Sequence, residues 1–279
     1  MEIRRQRLLA GPITPKGIIF ANMETHLEVL FTPADFSTLP GRDLTAVHCV
    51  VLDVLRATST MLTALANGAS GIFPVCEISE ALHLRAAHPS ALLAGERDGT
   101  RILSAQTGGV DFDLGNSPRE FTPERVAGRE IIMTTTNGTR ALRACLGAGR
   151  IVPGAWLNLA ALARRIRGEQ APRLFVICAG TYEQAAYEDT LAAGALCDLL
   201  WTQFDSRRIS DSAHIARQVY LQAGSDFAGA VQRHSRNARR LLASPELRGD
   251  VPFCLRRDAL DLTAELRDGS VRARPFPDC

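Results

Sequence analysis

The run AVHCVVLD at 46–53 constrains this chain more than any other feature. It is apolar almost without a break and ends in an acid. A strand with one wet face alternates apolar and polar residues, whereas a strand covered on both faces reads as a continuous apolar run. Helices packed on both sides of a parallel sheet provide that cover.

The pattern continues along the chain. Strand-like segments at 27–31, 71–75, 91–96, 130–134, 150–156 and 173–178 alternate with helical ones at 61–67, 79–87, 139–146, 159–167 and 188–201. Thr58 and Ser59 lead into the first helix and Gly68 closes it, while Ser79 and Asn158 read as caps of later ones. Such repeated units imply the α/β class, with a largely parallel sheet and helices on both faces. From about 205 the character changes to Arg-rich helices at 212–222 and 227–242, with a short tail. Seven Arg residues fall between Arg233 and Arg257; they read as a solvated helix face or as an anion-attracting rim.

With 279 residues there is ample material for a core. A net charge of +2 provides no field for nucleic acid. No apolar run approaches the roughly 20 residues of a membrane span. Cysteines 49, 76, 145, 178, 197, 254 and 279 form no metal-type or disulfide pattern, which points to a reducing compartment and a cytoplasmic protein. Residues 1–25, broken by Gly11, Pro12, Pro15 and Gly17, read as an N-terminal extension outside the domain at 26–279. They are either disordered or an artefact of start-site choice, with Met23 as the true start.

Polar residues gather where strands end or helices begin, the edge at which open α/β sheets bind ligands. Asp53 ends the apolar run, and Arg56 follows it in VLDVLRATST. Glu96 and Arg97 repeat the acid–arginine pairing in AGERDG. In FDLGNSPREF, Ser117, Pro118 and Glu120 spell a capping box with Pro at the first helical position, beside Asn116. Thr135, Thr136, Asn137 and Gly138 supply hydroxyl and amide donors at a helix start, a phosphate cradle without the lysine of a nucleotide-binding P-loop. Glu188 and Asp189 open the helix after Cys178. With Asp53 and Glu96 they could complete an oxygen-rich cation site, and one or two carboxylates plus phosphate suffice for Mg²⁺. Each acid also has a plain reading as a cap or a surface residue.

Several alternatives fail on the residues. Gly147-Ala148-Gly149 lacks the third glycine of a dinucleotide fingerprint and precedes a strand, which argues against a nicotinamide-dependent oxidoreductase. No GxSxG or HExxH occurs. Asp53-Val54-Leu55 lacks the second acid of the haloacid-dehalogenase phosphatases, and the histidines avoid these segments. A non-catalytic anion-binding module stays open, but Asp53, Glu96 and Asp189 converging near a phosphate would repel it without a metal.

Taken in order, the segments 51–60, 94–99, 112–121, 134–142, CAGTYEQAAYEDTLAAG at 178–194 and HSRNARRLL at 234–242 resemble the 2-phosphosulfolactate phosphatase family. The resemblance implies a three-layer α/β/α fold with a mixed sheet. It further implies Mg²⁺ dependence and hydrolysis of phosphosulfolactate to sulfolactate and phosphate, a step of coenzyme M biosynthesis. On that reading Asp53, Glu96 and Asp189 hold Mg²⁺ directly or through water. Arg56 and Arg97 meet the substrate's anions, with Arg236 or Arg239, and Asn116, Thr135, Thr136, Asn137 and Gly138 line the phosphate. Cys178 reads as core. Whether water or Asp53 attacks, which acidic ester is the substrate, and whether the chain forms a homo-oligomer all stay open.

Overall fold

The strands of the computed structural model are β1 (Leu27–Leu30), β2 (Val47–Leu52), β3 (Gly71–Val75), β4 (Leu92–Arg97), β5 (Thr100–Arg101), β6 (Glu130–Thr134), β7 (Arg150–Gly154), β8 (Arg173–Cys178), β9 (Thr263–Arg267) and β10 (Ser270–Arg274). The structure describes residues 26–169 and 172–275, so the expected extension 1–25 and Cys279 lie outside the described residues.

β2 shows why its sequence lacks a polar face. Val50 and Leu52 enter one apolar cluster with Leu162 and Ile166 of the helix Leu159–Glu169 and Leu191 and Leu196 of the helix Tyr187–Leu200. Cys49 and Val51 enter another, with Met61 and Leu62 of the helix Ala57–Ala66 and Leu142 of the helix Gly138–Ala144. Each Val or Leu removed from water in this way contributes about 1.5–3 kcal/mol. β6 alternates likewise, sending Ile131 and Met133 to one face and Ile132 to the other.

β1, β8, β2 and β7 form an all-parallel sheet in that order. The second sheet runs β5-β4-β6-β3-β10-β9, parallel through β4, β6 and β3 and antiparallel at both ends. β9 packs beside β7, so the two sheets form one middle layer with helices on either side. The fold is the expected three-layer α/β arrangement with a mixed sheet.

Several local expectations are corrected. The tail is no tail: it is the hairpin β9–β10, turned at Asp268 and Gly269 with φ of 51° and 78°. Positive φ at both central residues is what an Asp-Gly turn of this type requires. The helix expected at 227–242 breaks at Ser235, whose Oγ accepts from the Ala238 amide at 2.9 Å and starts a new helix, Arg236–Ala243. Ser79 lies inside the helix Ile78–Ala87 and does not cap it. Asn158 belongs to the turn Trp156–Asn158, where its Oδ1 accepts from the Ala155 amide at 3.0 Å. Ser117 caps nothing: only the short turn Pro118–Glu120 follows it, and its hydroxyl donates to Asp250 instead.

At the amino ends of β7 and β8 lies a buried ionic network. Glu265 of β9 places Oε2 3.1 Å from Arg165 Nη2 and 3.1 Å from Arg150 Nη1. Arg165 also donates to Glu169 Oε1 at 2.8 Å and to Thr263 Oγ1 at 3.1 Å. Among the described residues, no helix is long and apolar enough to cross a membrane.

Candidate active site

The carboxyl ends of β2, β4, β6 and β8 meet around one polar cavity of about 60 Å³, lined by Asp53, Arg56, Glu96, Asn116, Thr136 and Asn137 among others. That is room for a phosphate-sized group. Through Arg56, Gly99 and Asn116 it adjoins a second cavity of about 350 Å³.

Asp53 follows the last residue of β2 and is 8% exposed. Its Oδ1 accepts from the Ala57 amide at 3.2 Å. Thr58 fixes its backbone, with Oγ1 accepting from the Asp53 amide at 3.0 Å and donating to the Asp53 carbonyl at 2.9 Å. Burial pushes the Asp53 carboxyl up to about 7; Glu96 and Glu188 push in the same direction, and the Ala57 amide and Arg56 oppose them. Gly138 packs against it so closely that a Cβ there would sit 2.6 Å from Asp53 Oδ2 and 2.6 Å from Ala57 Cβ.

Glu96 fastens two loops across the cavity. Its Oε1 accepts from the Thr136 amide at 2.8 Å and its Oε2 from the Gly99 amide at 2.7 Å. The close approach behind it needs glycine at 95, with φ of 148°, since a Cβ would meet the Thr134 carbonyl oxygen at 2.0 Å. Arg56, 4% exposed, donates to Asp250 Oδ2 at 2.8 Å and to the Gly99 carbonyl at 2.8 Å. Asp250 is fully buried and also accepts from Ser117 Oγ at 2.6 Å and Arg119 Nε at 2.7 Å. On the cavity wall, Asn116 Oδ1 and Thr136 Oγ1 are buried without a hydrogen-bond partner in the protein. Unsatisfied buried acceptors are rare in native proteins and mark a place for a ligand or water.

Five expected site residues do not line the cavity, and one of them, Gly138, packs behind Asp53 instead. Arg97 turns aside, donating to the carbonyls of Glu96 and Cys76 and to Thr134 Oγ1. Thr135 is spent on Thr139: its Oγ1 accepts from that amide at 3.2 Å, and its carbonyl accepts from the Thr139 hydroxyl at 2.9 Å. Asp189 ties backbone together, accepting from the Val54 amide at 2.8 Å and the Gly180 amide at 3.3 Å. Its carboxyl is raised well above the usual range by burial, then by Glu188 and Asp53. Arg236 lines a neighbouring crevice with Glu188 and His234. Cys178 is fully buried, and burial pushes its thiol far up, as a core residue requires.

The structure adds residues that the sequence reading passed over. Asn237 and Arg240 reach the cavity from the helix Arg236–Ala243, and Thr181 and Tyr182 from the loop after β8. Asn237 Nδ2 donates to Thr181 Oγ1 at 2.7 Å and Glu188 Oε1 at 2.6 Å, while Glu188 Oε2 is buried without a partner. Helical spacing held part of the signal, since positions 237, 240 and 241 fall at i, i+3 and i+4 on one face. Among the described residues, no group of three or more His, Cys, Asp or Glu side chains is drawn together tightly enough to form a cation cage. Mg²⁺ needs none, because carboxylate, water and phosphate oxygens serve it. The acid-rich, under-partnered cavity fits such an ion.

A cavity at parallel strand ends, walled by buried carboxylates and edged by guanidinium groups, defines an α/β enzyme that handles a small anion. The 2-phosphosulpholactate phosphatase family matches residues 36–269, and the chain belongs to that family of phosphoric monoester hydrolases. It is similar to the probable 2-phosphosulfolactate phosphatase of Caldanaerobacter subterraneus subsp. tengcongensis, 37% identical over 249 residues that cover 87% of this chain and 97% of the relative. The protein of the same name in Thermotoga maritima is 35% identical over 228 residues, covering 82% and 92%.

Proposed function

We propose that the protein hydrolyses 2-phospho-3-sulfolactate to 3-sulfolactate and phosphate with Mg²⁺ in the cytoplasm, a step of coenzyme M biosynthesis. The observation that carries this reading is buried carboxylate at and behind the cavity: Asp53 and Glu96 line it, Glu188 lies behind, and Asn116 Oδ1, Thr136 Oγ1 and Glu188 Oε2 are buried without partners. An anion binder without a cation would gain nothing from these carboxylates.

Asp53 and Glu96 share the cavity and would hold Mg²⁺ directly or through water, with Glu188 adding negative charge behind them. When bound, Mg²⁺ neutralises phosphoryl oxygens and lowers the barrier to in-line displacement. Arg56 meets the same oxygens from a guanidinium fixed by Asp250. Asn116, Thr136 and Asn137 offer hydrogen bonds to the phosphate. In the net reaction the ester P–O bond breaks, a P–O bond to the water oxygen forms, and a water proton goes to the leaving alkoxide. Arg97, Thr135 and Asp189 hold the loops that carry these groups.

Phosphate release from phosphosulfolactate and a panel of small phosphate esters tests this reading, with Mg²⁺ and with a chelator. Release is expected only with the metal, with phosphosulfolactate ranked first. A different ester at the head of the panel would replace the substrate, and release unaffected by chelation would remove Mg²⁺ from the reading.

A further inference from the structure

Two guanidinium groups flank Gly99, and their charges are treated differently. Arg56 is buried and paired with Asp250. Arg240 is exposed and lies over the other side of Gly99, where a Cβ would sit 2.9 Å from its Nη2. Its Nη1 donates to Tyr182 Oη at 3.0 Å and its Nη2 to the Asp98 carbonyl, and among the described residues no carboxylate pairs with it. The two partners are neutral oxygens at the lip of the cavity. Tyr182, 56% exposed, also donates to Asp98 Oδ1 at 3.3 Å. A cation held only by neutral acceptors keeps its charge for an incoming anion, and a guanidinium accepts the oxygens of a carboxylate or sulfonate in its fork.

We propose that Arg240 is the specificity-determining residue of this site, releasing Tyr182 and Asp98 to bind one of the substrate's anionic groups that are not transferred. The inference rests on the phosphatase reading for its substrate class. Phosphate belongs with Asp53, Glu96 and Arg56 inside the cavity, and the sulfonate or carboxylate belongs at the lip with Arg240. The site thereby favours esters carrying a second acid over simple alkyl phosphates.

Calorimetric binding of 3-sulfolactate and of inorganic phosphate to the full chain separates these places. Arg240→Gln is expected to weaken sulfolactate about tenfold or more, the loss typical of a charge-assisted bond. Phosphate should weaken by less than about threefold, and Arg240→Lys should recover part of the loss. The kcat/KM ratio of phosphosulfolactate over ethyl phosphate should fall about tenfold or more in Arg240→Gln. Tyr182→Phe removes the hydroxyl and keeps the cation, so its sulfolactate affinity should stay within about threefold of the wild type. Equal weakening of phosphate and sulfolactate in Arg240→Gln, or a Tyr182→Phe variant that copies Arg240→Gln, would overturn the assignment to the second anion. Selective loss of sulfolactate binding in a protein that hydrolyses no ester would keep the assignment and sink the phosphatase reading. Normal turnover with an unchanged ratio would do the reverse.

Discussion

β2 joins two buried clusters of charge that are built on opposite terms. At its amino end, Glu265 and Glu169 meet Arg165 and Arg150, so each buried acid faces a guanidinium. At its carboxyl end, Asp53 is pushed upward by burial and then by Glu96 and Glu188, and Asp189 by burial and then by Glu188 and Asp53, while Arg56 is already paired with Asp250. Balanced burial holds the C-terminal hairpin to the first sheet. Unbalanced burial costs stability and marks the place where a ligand completes the charge.

Substitutions at the two ends should therefore have opposite signatures. The largest effect is expected from Asp53→Asn, with phosphate release falling on the order of 10³-fold and thermal stability of the metal-free protein unchanged or raised. A stability loss with activity kept would break the comparison. Its pH dependence sharpens it further. The folded carboxyl at about 7 binds a proton more tightly than the unfolded one at 3.8. Stability from this group is full below about 4 and falls as pH rises towards 7, and Asp53→Asn should flatten that slope in urea titrations.

Glu265→Ala should do the converse. It leaves Arg165 and Arg150 short of a partner and should cost about 3 kcal/mol in chemical denaturation, while the folded enzyme keeps its kcat. Gly138→Ala should fall between the two, since its Cβ meets Asp53 Oδ2 and Ala57 Cβ at 2.6 Å. Overpacking of this kind costs about 1–3 kcal/mol, and kcat should drop because Asp53 is displaced; full activity would show that the contact is not functional. The smallest effect belongs to His48, beside the balanced cluster at 3.7 Å from Glu169. Desolvation lowers its folded pKa, against the pull of Glu169 and Glu265 and with the push of Arg150 and Arg165. A lowered histidine loses stability as pH falls through its unfolded value of 6.5, so His48→Gln should lessen acid sensitivity below that pH.

The sequence disclosed the strands well because a strand buried on both faces writes its own signature: β3, β6 and β8 have the expected bounds to the residue. It hid β9 and β10 because charged residues interrupt their apolar pattern, Glu265 buried in the ionic network and Arg272 exposed, although Asp268-Gly269 was a hairpin signal. The site was legible to the level of segments and not of side chains. Asp53, Glu96, Asn116 and Thr136 do meet in one cavity. Arg97 and Asp189 do not, because one step along a strand or helix changes the face, and nothing in composition says which neighbour of an acid pair looks inward. Arg240 was concealed by the number of arginines around it.

Asp250 has a consequence for the order in which the protein is made. The carboxylate that fixes Arg56 and Ser117 is supplied from 194 and 133 residues further along the chain. During synthesis from the amino terminus, β2 and its helices can collapse while the guanidinium beside Asp53 still lacks its anchor. The Arg56 anchor at the carboxyl end of β2 is thus set only once the helix Asp250–Cys254 has emerged from the ribosome and docked. A nascent chain halted before that point would carry the fold's core and an unanchored Arg56.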